Sequence, residues 1–203
     1  VEAWDAATGR AAWTVTLDIS PDIDANGCAA GDTAYFTAGA WKSRWKPQGE
    51  LKRGQTVAID ARSGQVLWGS NEAFGTSYPI LAGEVLLLPE MEAGLRGVSS
   101  KDGRVLWEGG AKNLYKYSLG TDYLAGRGYG GYGAKFRLED GKAYPGLSPG
   151  GQLGGVNHAC GTVALTANCS FAITVGGLNV RDTATGDLLW QSPGFAPRGC
   201  AGA

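Results

Sequence analysis

Indole and cationic side chains are concentrated in one short stretch of this sequence, between residues 41 and 53. The stretch contributes two tryptophans and five cations, namely Trp41, Lys42, Arg44, Trp45, Lys46, Lys52 and Arg53. Aromatic rings beside guanidinium and ammonium groups suit the binding of a sugar ring, an anionic polymer or a protein surface. The alternative is that both indoles pack on neighbouring strands while the charges stay in water. We predict that this stretch is a binding surface for a protein or polysaccharide partner.

A partial calcium-loop pattern precedes that stretch. Asp22, Asp24 and Asn26, followed by Gly27, match the first half of the pattern D-x-[DN]-x-[DN]-G. The twelfth position, which normally holds a bidentate Glu, is Thr33. Because this change removes two oxygen ligands and one negative charge, a plain turn is favoured over a calcium site. We therefore predict no cofactor, with Asp22, Asp24 and Asn26 as weak calcium candidates.

The remaining chemistry-bearing residues are too scattered to form a catalytic group. His158 is the only histidine, and together with the dispersed cysteines it does not fit a structural zinc pattern. Glu90 and Glu92 follow Pro89 with no third acidic residue or histidine nearby, so we expect them in a solvated loop. We predict no catalytic residue, and the sequence favours a non-enzymatic role.

Four cysteines bear on the compartment of the protein. They are an even number spread over the chain, at Cys28, Cys160, Cys169 and Cys200. Such cysteines favour two disulfides formed in an oxidising compartment, whereas buried free thiols are the alternative. Four cysteines allow three pairings, and we expect at least one bridge among the three later residues. This pattern indicates a periplasmic or extracellular protein.

A motif that ends in tryptophan recurs along the chain and must position all these residues. Full copies lie at residues 1–13, 57–68 and 180–190, a shortened copy at 98–107, and a worn copy with Tyr144 in place of tryptophan at 136–144. The motif glycines are Gly9, Gly64, Gly103, Gly141 and Gly186, at separations of 55, 39, 38 and 45 residues. A strand-bearing repeat of about 40 residues indicates a propeller or a solenoid.

Each copy of the motif is predicted to be a β-hairpin. Asp60 can accept hydrogen bonds from the backbone just ahead of it, and Gly64 supplies the positive φ that closes the turn. Trp68 then ends the second strand with a large apolar side chain, which a lone hairpin cannot bury. We expect the turn aspartates, the turn glycines and the tryptophans of the motif to hold the repeats together. These residues are Asp5, Gly9, Trp13, Asp60, Gly64, Trp68, Gly103, Trp107, Asp182, Gly186 and Trp190.

The motif resembles the repeat A-x-D-x-x-T-G-x-x-x-W of the quinoprotein-like β-propellers, the family of the pyrroloquinoline-quinone (PQQ) dehydrogenases. Asp5, Thr8, Gly9 and Trp13 match it in the first copy. The resemblance implies an all-β fold, a β-propeller of four-stranded antiparallel blades. It divides the chain into repeats at roughly 16–70, 71–109, 110–146 and 147–192, with partial repeats at 1–15 and 193–203. We expect one domain over residues 1–203, with about four complete blades, as a section of a larger propeller.

A narrower resemblance concerns function. The segments 35–39, 57–60, 158–160 and 198–200 are similar to the exported propellers of planctomycete-type bacteria. That similarity implies secretion and transfers no catalytic residue. The alternative function is a PQQ-dependent dehydrogenase or a fragment of one. The chain lacks the adjacent cysteine pair of such enzymes, so we favour a binding or structural scaffold, including a subunit of a larger assembly.

Composition excludes several other classes of protein. The net charge is −1, which gives no global field to attract nucleic acid. No apolar run approaches the roughly 18 residues that a membrane-spanning helix needs. Glycine contributes 34 of 203 residues, which suits many short strands and turns.

Overall fold

The computed structural model of the protein describes most of the chain. It covers residues 1–17, 25–38, 55–71, 78–90, 94–110, 114–128, 133–144, 164–166, 168–174 and 177–192. Throughout these ranges the regular secondary structure is β-strand, as the sequence predicted. Over the same residues, no helix has the length and apolar character required to cross a bilayer.

The strands form five sheets in which neighbours along the chain are neighbours in the sheet. The first sheet contains β1 (Glu2–Trp4) and β2 (Ala11–Thr14). The second contains β3 (Ala25–Ala30), β4 (Thr33–Ala38), β5 (Gln55–Asp60) and β6 (Val66–Ser70). The third contains β7 (Ile80–Ala82), β8 (Val85–Glu90), β9 (Gly94–Ser99) and β10 (Val105–Gly109).

The last two sheets repeat this order. The fourth contains β11 (Leu114–Leu119), β12 (Tyr123–Gly128) and β13 (Gly133–Arg137), and a single antiparallel bridge joins Phe136 to Ala143. The fifth contains β14 (Ala164–Leu165), β15 (Cys169–Thr174), β16 (Gly177–Asp182) and β17 (Leu188–Gln191). Three sheets therefore have four strands in the part of the chain that the structure describes.

Burial differs between the strands of a sheet. In the second and third sheets the two central strands are buried over most of their length, as in β5, where Val57, Ala58 and Ile59 are almost fully inaccessible. The fourth strands β6 and β10 instead alternate between exposed and half-buried residues. Central strands that are covered on both faces read as continuous apolar runs, whereas strands with one face in water alternate.

The chain divides into two compact units, and each has its own core. One unit comprises Val1–Glu90 with Arg96–Trp107, and the other comprises Met91–Leu95 with Glu108–Ala203. The core of the first unit is formed by Tyr35, Ala58, Leu86, Leu88 and Val98. The buried side chains of the second unit include Leu114, Tyr117, Tyr123, Leu124 and Phe136. The assignment of residues 1–203 to one domain stays a prediction.

Candidate functional site

The aspartate of each full copy of the motif organises the turn that follows it. Asp60 Oδ1 accepts hydrogen bonds from the backbone nitrogen of Arg62 at 3.1 Å, and from the nitrogen and hydroxyl of Ser63 at 2.7 and 2.8 Å. Asp5 and Asp182 hold their turns in the same way. The Ser63 hydroxyl, then its backbone N–H, keeps the pKa of Asp60 below its usual value of 3.8, because both donate to the ionised form.

Two motif glycines, Gly64 and Gly103, receive the tryptophan of the preceding motif. Gly64 has φ 75°, and a Cβ built on it would lie only 2.7 Å from Cγ of Trp13. Gly103, with φ 73°, would place a Cβ 2.5 Å from Cε3 of Trp68. A glycine is therefore required at these positions both by the backbone conformation and by the close approach of the indole.

The same indoles donate hydrogen bonds across the sheets. Trp13 Nε1 donates to the carbonyl of Ala61 at 2.9 Å, and Trp68 Nε1 donates to the carbonyl of Ser100 at 2.9 Å. In both cases the acceptor immediately follows the first turn residue, Asp60 or Ser99. We call this arrangement a dock. In a dock the indole ring lies over the motif glycine, and its N–H donates to the carbonyl of the residue three positions before that glycine.

The acceptor residue of a dock is also bonded within its own sheet. The backbone nitrogen of Ala61 donates to the carbonyl of Asp32 at 2.8 Å, and that of Ser100 donates to Glu84 at 2.9 Å. Both partners lie in the turn between the first and second strands of the same sheet. A dock therefore links one sheet to two hairpins of the next, which restricts the freedom of the sheets to slide.

Among the described residues, neither of the two later tryptophans makes this hydrogen bond. Trp107 Nε1 is buried, and none of the described residues accepts its hydrogen. The side chain of Trp190 is 49% exposed, beside an equally exposed Leu189. The motif tryptophans therefore differ. Trp13 and Trp68 donate a hydrogen bond to the next motif, Trp107 is buried without an acceptor among the described residues, and Trp190 is about half exposed.

Lys135 makes the equivalent contact where the worn motif lacks tryptophan. Its Nζ donates to the carbonyl of Thr183 at 2.7 Å, and Thr183 follows Asp182 as Ala61 follows Asp60. The ammonium group lies 4.0 Å from the centre of the Tyr123 ring and 5.6 Å from that of Tyr144. A lysine between two aromatic faces therefore replaces the indole N–H as the donor.

Lys135 is buried, and two carboxylates act on its ammonium group. Lys135 is 9% exposed, and this burial lowers the pKa of its ammonium group, while the carboxylates of Asp122 and Asp182 oppose the change. Tyr144 Oη donates to Asp122 Oδ2 at 2.9 Å, and this hydrogen bond raises the pKa of Tyr144. No sequence pattern identified Lys135, because its partners come from separate strands.

A second buried charge lies at the end of β8. Glu90 is 7% exposed, and its Oε1 lies 3.2 Å from Nη1 of Arg96. The expectation of a solvated loop is therefore wrong for Glu90, because the residue ends a buried strand and Arg96 of the neighbouring strand reaches its carboxylate. Glu92 lies outside the described residues. The signal available in the sequence was an acidic residue directly after an apolar strand.

The predicted binding surface lies between two paired strand ends. Its residues Trp41, Lys42, Arg44, Trp45, Lys46, Lys52 and Arg53 fall outside the described residues. The flanking residues are described, and Ala38 of β4 pairs with Gln55 of β5. Residues 39–54 therefore leave and return at one end of the second sheet. The corresponding connections between second and third strands are 91–93, 129–132 and 175–176, which are much shorter.

The remaining candidates are only partly described. Asn26 lies in β3 opposite Thr37, whereas Asp22 and Asp24 fall outside the described residues. Within the described ranges, no three His, Cys, Asp or Glu side chains are grouped closely enough to hold a metal ion. The weak calcium site stays a prediction.

The cysteine pairing also stays a prediction. Cys28 and Cys169 form no disulfide in this structure, and burial raises the pKa of the Cys28 thiol. Cys160 and Cys200 are not among the residues that the structure describes, and neither is His158.

Solved structures of similar fold include two designed proteins and one natural protein. The chain is similar to the computationally designed Ika8 protein, with a TM-score of 0.68 and 13% identity, over 96% of this chain and 56% of that one. It is similar to BamB from Moraxella catarrhalis, with a TM-score of 0.57 and 17% identity, over 94% and 54% of the two chains. For the computationally designed Ika4 protein the TM-score is 0.59 and the identity 10%, over 82% and 95%.

These likenesses concern the fold. The chain spans about half the length of the Ika8 and Moraxella catarrhalis BamB chains. No curated protein is significantly similar to it in sequence. The sequence profile of the family described as outer membrane protein assembly factor BamB matches residues 1–128. The fold predicted from the motif, a β-propeller of four-stranded antiparallel blades, is confirmed, and the chain belongs to the BamB family of PQQ-like repeat proteins.

Proposed function

We propose that this protein is an exported, non-catalytic scaffold that binds a protein or polysaccharide partner through residues 39–54. Membership of a family described as an outer membrane protein assembly factor supports a binding role in the cell envelope. The narrower resemblance to exported planctomycete-type propellers supports export as well. The partner class follows from the indoles and cations of residues 41–53.

The observation that carries the proposal is the length of the segment between β4 and β5. Hairpin connections normally have two to five residues, and loops beyond about 12 residues in a compact domain are usually functional. Residues 39–54 exceed that length, whereas the matching connections of the third and fifth sheets are residues 91–93 and 175–176. A long insertion on one hairpin of a repeat is the usual position of a binding loop.

The frame that holds this segment is a rigid one. The two strands that flank it are buried, and Ala38 is fully inaccessible. Within the same unit, the docks of Trp13 on Ala61 and of Trp68 on Ser100 join the second sheet to the first and the third. A rigid frame lowers the entropy cost of presenting a binding loop to a partner.

A binding comparison tests this proposal. The full chain and its Trp41→Ala/Trp45→Ala variant are immobilised and exposed to envelope proteins and to a panel of soluble polysaccharides. Arg62→Ala is the control, because Arg62 is an exposed cation of the second sheet, outside residues 39–54.

We expect one class of ligand to bind the wild-type chain and Arg62→Ala, and to bind the double variant at least about 30-fold more weakly, as for aromatic hot spots. Equal binding by the double variant would contradict a binding site in residues 39–54.

A further inference from the structure

The second and third sheets share one apolar core inside the first unit. The buried members of this core are Tyr35, Ala58, Leu86, Leu88 and Val98. Successive side chains of a strand point to opposite faces, so residues two positions away from these members lie on the same facing sides of the two sheets. This relation identifies the residues that continue the interface beyond the apolar core.

In the second sheet, the interface continues with two threonines. Thr37 lies two positions after Tyr35, and Thr56 lies two positions before Ala58. The two threonines pair across β4 and β5, and both are fully buried. Thr56 Oγ1 has no hydrogen-bond partner among the described residues. The apolar side chains of this face are therefore followed by buried hydroxyl groups.

In the third sheet, the interface continues with an ion pair. Glu90 lies two positions after Leu88, and Arg96 lies two positions before Val98. Both side chains are largely buried, and Glu90 Oε1 lies 3.2 Å from Nη1 of Arg96. Each of the two facing sides therefore changes from apolar to polar as it leaves the core.

The polar end of the interface is the end from which residues 39–54 leave. The dock of Trp68 on Ser100 joins the two sheets at the opposite end, in the turn that follows β9. The threonine pair directly precedes Ala38 and Gln55, which are the last paired residues of β4 and β5 before the segment. The ion pair and the strand ends that carry the segment therefore lie at the same end of this core.

A buried ion pair is better suited to fixing a geometry than to adding stability. Desolvation offsets most of the attraction between the two charges, so apolar residues of similar volume often leave a protein equally stable. Charge-assisted hydrogen bonds are directional, and they define one relative position of the groups that they join. A contact of this kind is useful where strand ends have to be held in place.

We propose that Glu90 and Arg96 are positioning residues, which hold the ends of β4 and β5 in the geometry that residues 39–54 need for binding. The pair acts across the interface on the side of the second sheet that carries Thr37 and Thr56. The effect on binding rests on the proposed function, whereas the effect on the strand ends is independent of it.

Amide hydrogen exchange of the variant Glu90→Leu/Arg96→Met tests the effect on the strand ends without any ligand. Because the pair is replaced by apolar side chains of similar volume, we expect a folded protein with a urea midpoint close to that of the wild type. The amides of residues 36–38 and 55–57 should exchange at least about 10-fold faster, since local opening of these strand ends becomes easier. The amides of residues 33–35 and 58–60, at the other ends of the same strands, should keep their wild-type rates.

Matched variants separate the buried pair from charge removal in general. Glu84→Leu/Lys101→Met removes an exposed ion pair of the third sheet, at the turn end, and should leave the exchange of residues 36–38 and 55–57 unchanged. Arg96→Lys keeps the charge without the planar guanidinium and should give an intermediate rate. Glu90→Gln is a nearly isosteric second variant, and it should shift the exchange of the strand ends in the same direction as the double variant.

Binding gives the second readout, measured with the polysaccharide or envelope protein that the wild-type chain binds. Glu90→Leu/Arg96→Met should bind it about 10-fold more weakly, whereas Glu84→Leu/Lys101→Met should bind it as the wild type does. Faster exchange at the strand ends with unchanged binding would contradict the positioning role.

The exchange experiment also separates this inference from the proposed function. Unchanged exchange of residues 36–38 and 55–57 would overturn the inference, even where Trp41→Ala/Trp45→Ala abolishes binding and so supports the binding segment. Faster exchange throughout the chain, with a lower urea midpoint, would overturn it as well, because the pair would then act on general stability. Where no ligand binds the wild-type chain, the proposed function fails, and the exchange rates still decide whether the pair holds the strand ends.

Discussion

Lys135 shows how one residue can take over a contact that the repeat otherwise assigns to tryptophan. Its ammonium group donates to the Thr183 carbonyl, the position that accepts an indole N–H at Ala61 and Ser100. The aromatic body of the missing indole is supplied by Tyr123 and Tyr144, whose rings are 6.5 Å apart at 82°. In the sequence, Tyr144 marks a copy of the motif that has lost its tryptophan. In the structure, Lys135, Tyr123 and Tyr144 together replace that tryptophan.

Replacement of Lys135 by methionine should destabilise the protein. Lys135→Met keeps much of the apolar stem but leaves the Thr183 carbonyl without its donor, which costs about 1–3 kcal/mol for a buried polar group. The control is Lys142→Met, since the Lys142 side chain is 74% exposed and should contribute less than about 0.5 kcal/mol. Urea unfolding measures both variants, and equal effects would refute a special role for Lys135.

Two conservative tryptophan substitutions should differ in their effects. Trp68→Phe removes the donor to the Ser100 carbonyl and should cost about 1–3 kcal/mol. Trp107→Phe removes an N–H that has no acceptor among the described residues, so it should cost less or even stabilise the protein. Thermal unfolding of both variants at one pH tests this order, and a larger loss for Trp107→Phe would contradict it.

Acid should weaken the motif turns in a predictable direction. The pKa of Asp60 is lowered below 3.8 by the Ser63 hydroxyl and backbone N–H, so its contribution is present above pH 3.8 and is lost as pH falls through the folded-state pKa. Asp60→Asn keeps an oxygen acceptor without the charge. The stability gap between wild type and Asp60→Asn should therefore narrow from about pH 7 to about pH 2.5 in urea titrations. A gap that stays constant over that range argues against the ionised turn.

At the scale of elements, the hairpin is the unit that the sequence predicted well. Asp60, Gly64 and Trp68 specify a strand, a turn and a strand from local chemistry, and the same hairpin forms at β1–β2, β9–β10 and β16–β17. Glu90 was misjudged because its burial depends on Arg96, which reaches it from the neighbouring strand. Local patterns carry no information about such partners.

Glycine substitutions should separate turn geometry from docking. Gly31→Ala places a methyl at positive φ in open space and should cost about 1–2 kcal/mol from backbone strain. Gly64→Ala meets the same strain and also forces its methyl against Trp13, which adds about 1–3 kcal/mol of overpacking. Chemical denaturation gives both values, and equal losses would show that the turn tolerates the displaced indole.

At the scale of the whole molecule, the two candidate functions respond differently to ligand. A PQQ-dependent dehydrogenase should be stabilised by added quinone and calcium, by about 2.7 kcal/mol at a ligand concentration 100 times the dissociation constant. The scaffold that we propose should show no change in its melting temperature under the same conditions. A clear rise in the melting temperature with quinone and calcium would favour the dehydrogenase over the scaffold. The same measurement with calcium alone tests the candidate calcium ligands Asp22, Asp24 and Asn26.

The sequence by itself determined the repeat, the strands and the turns, because Asp60, Gly64 and their counterparts act through bonds to residues only a few positions away. The tertiary structure alone decided which indole finds an acceptor, why Lys135 stands in for one, and where Glu90 is buried. The first two outcomes depend on carbonyls and rings that lie about 30 to 50 residues apart in the chain, as between Trp13 and Ala61, and the third depends on Arg96 of the neighbouring strand. Short-range patterns fix the shape of each sheet, whereas the contacts between sheets are settled only when the sheets pack.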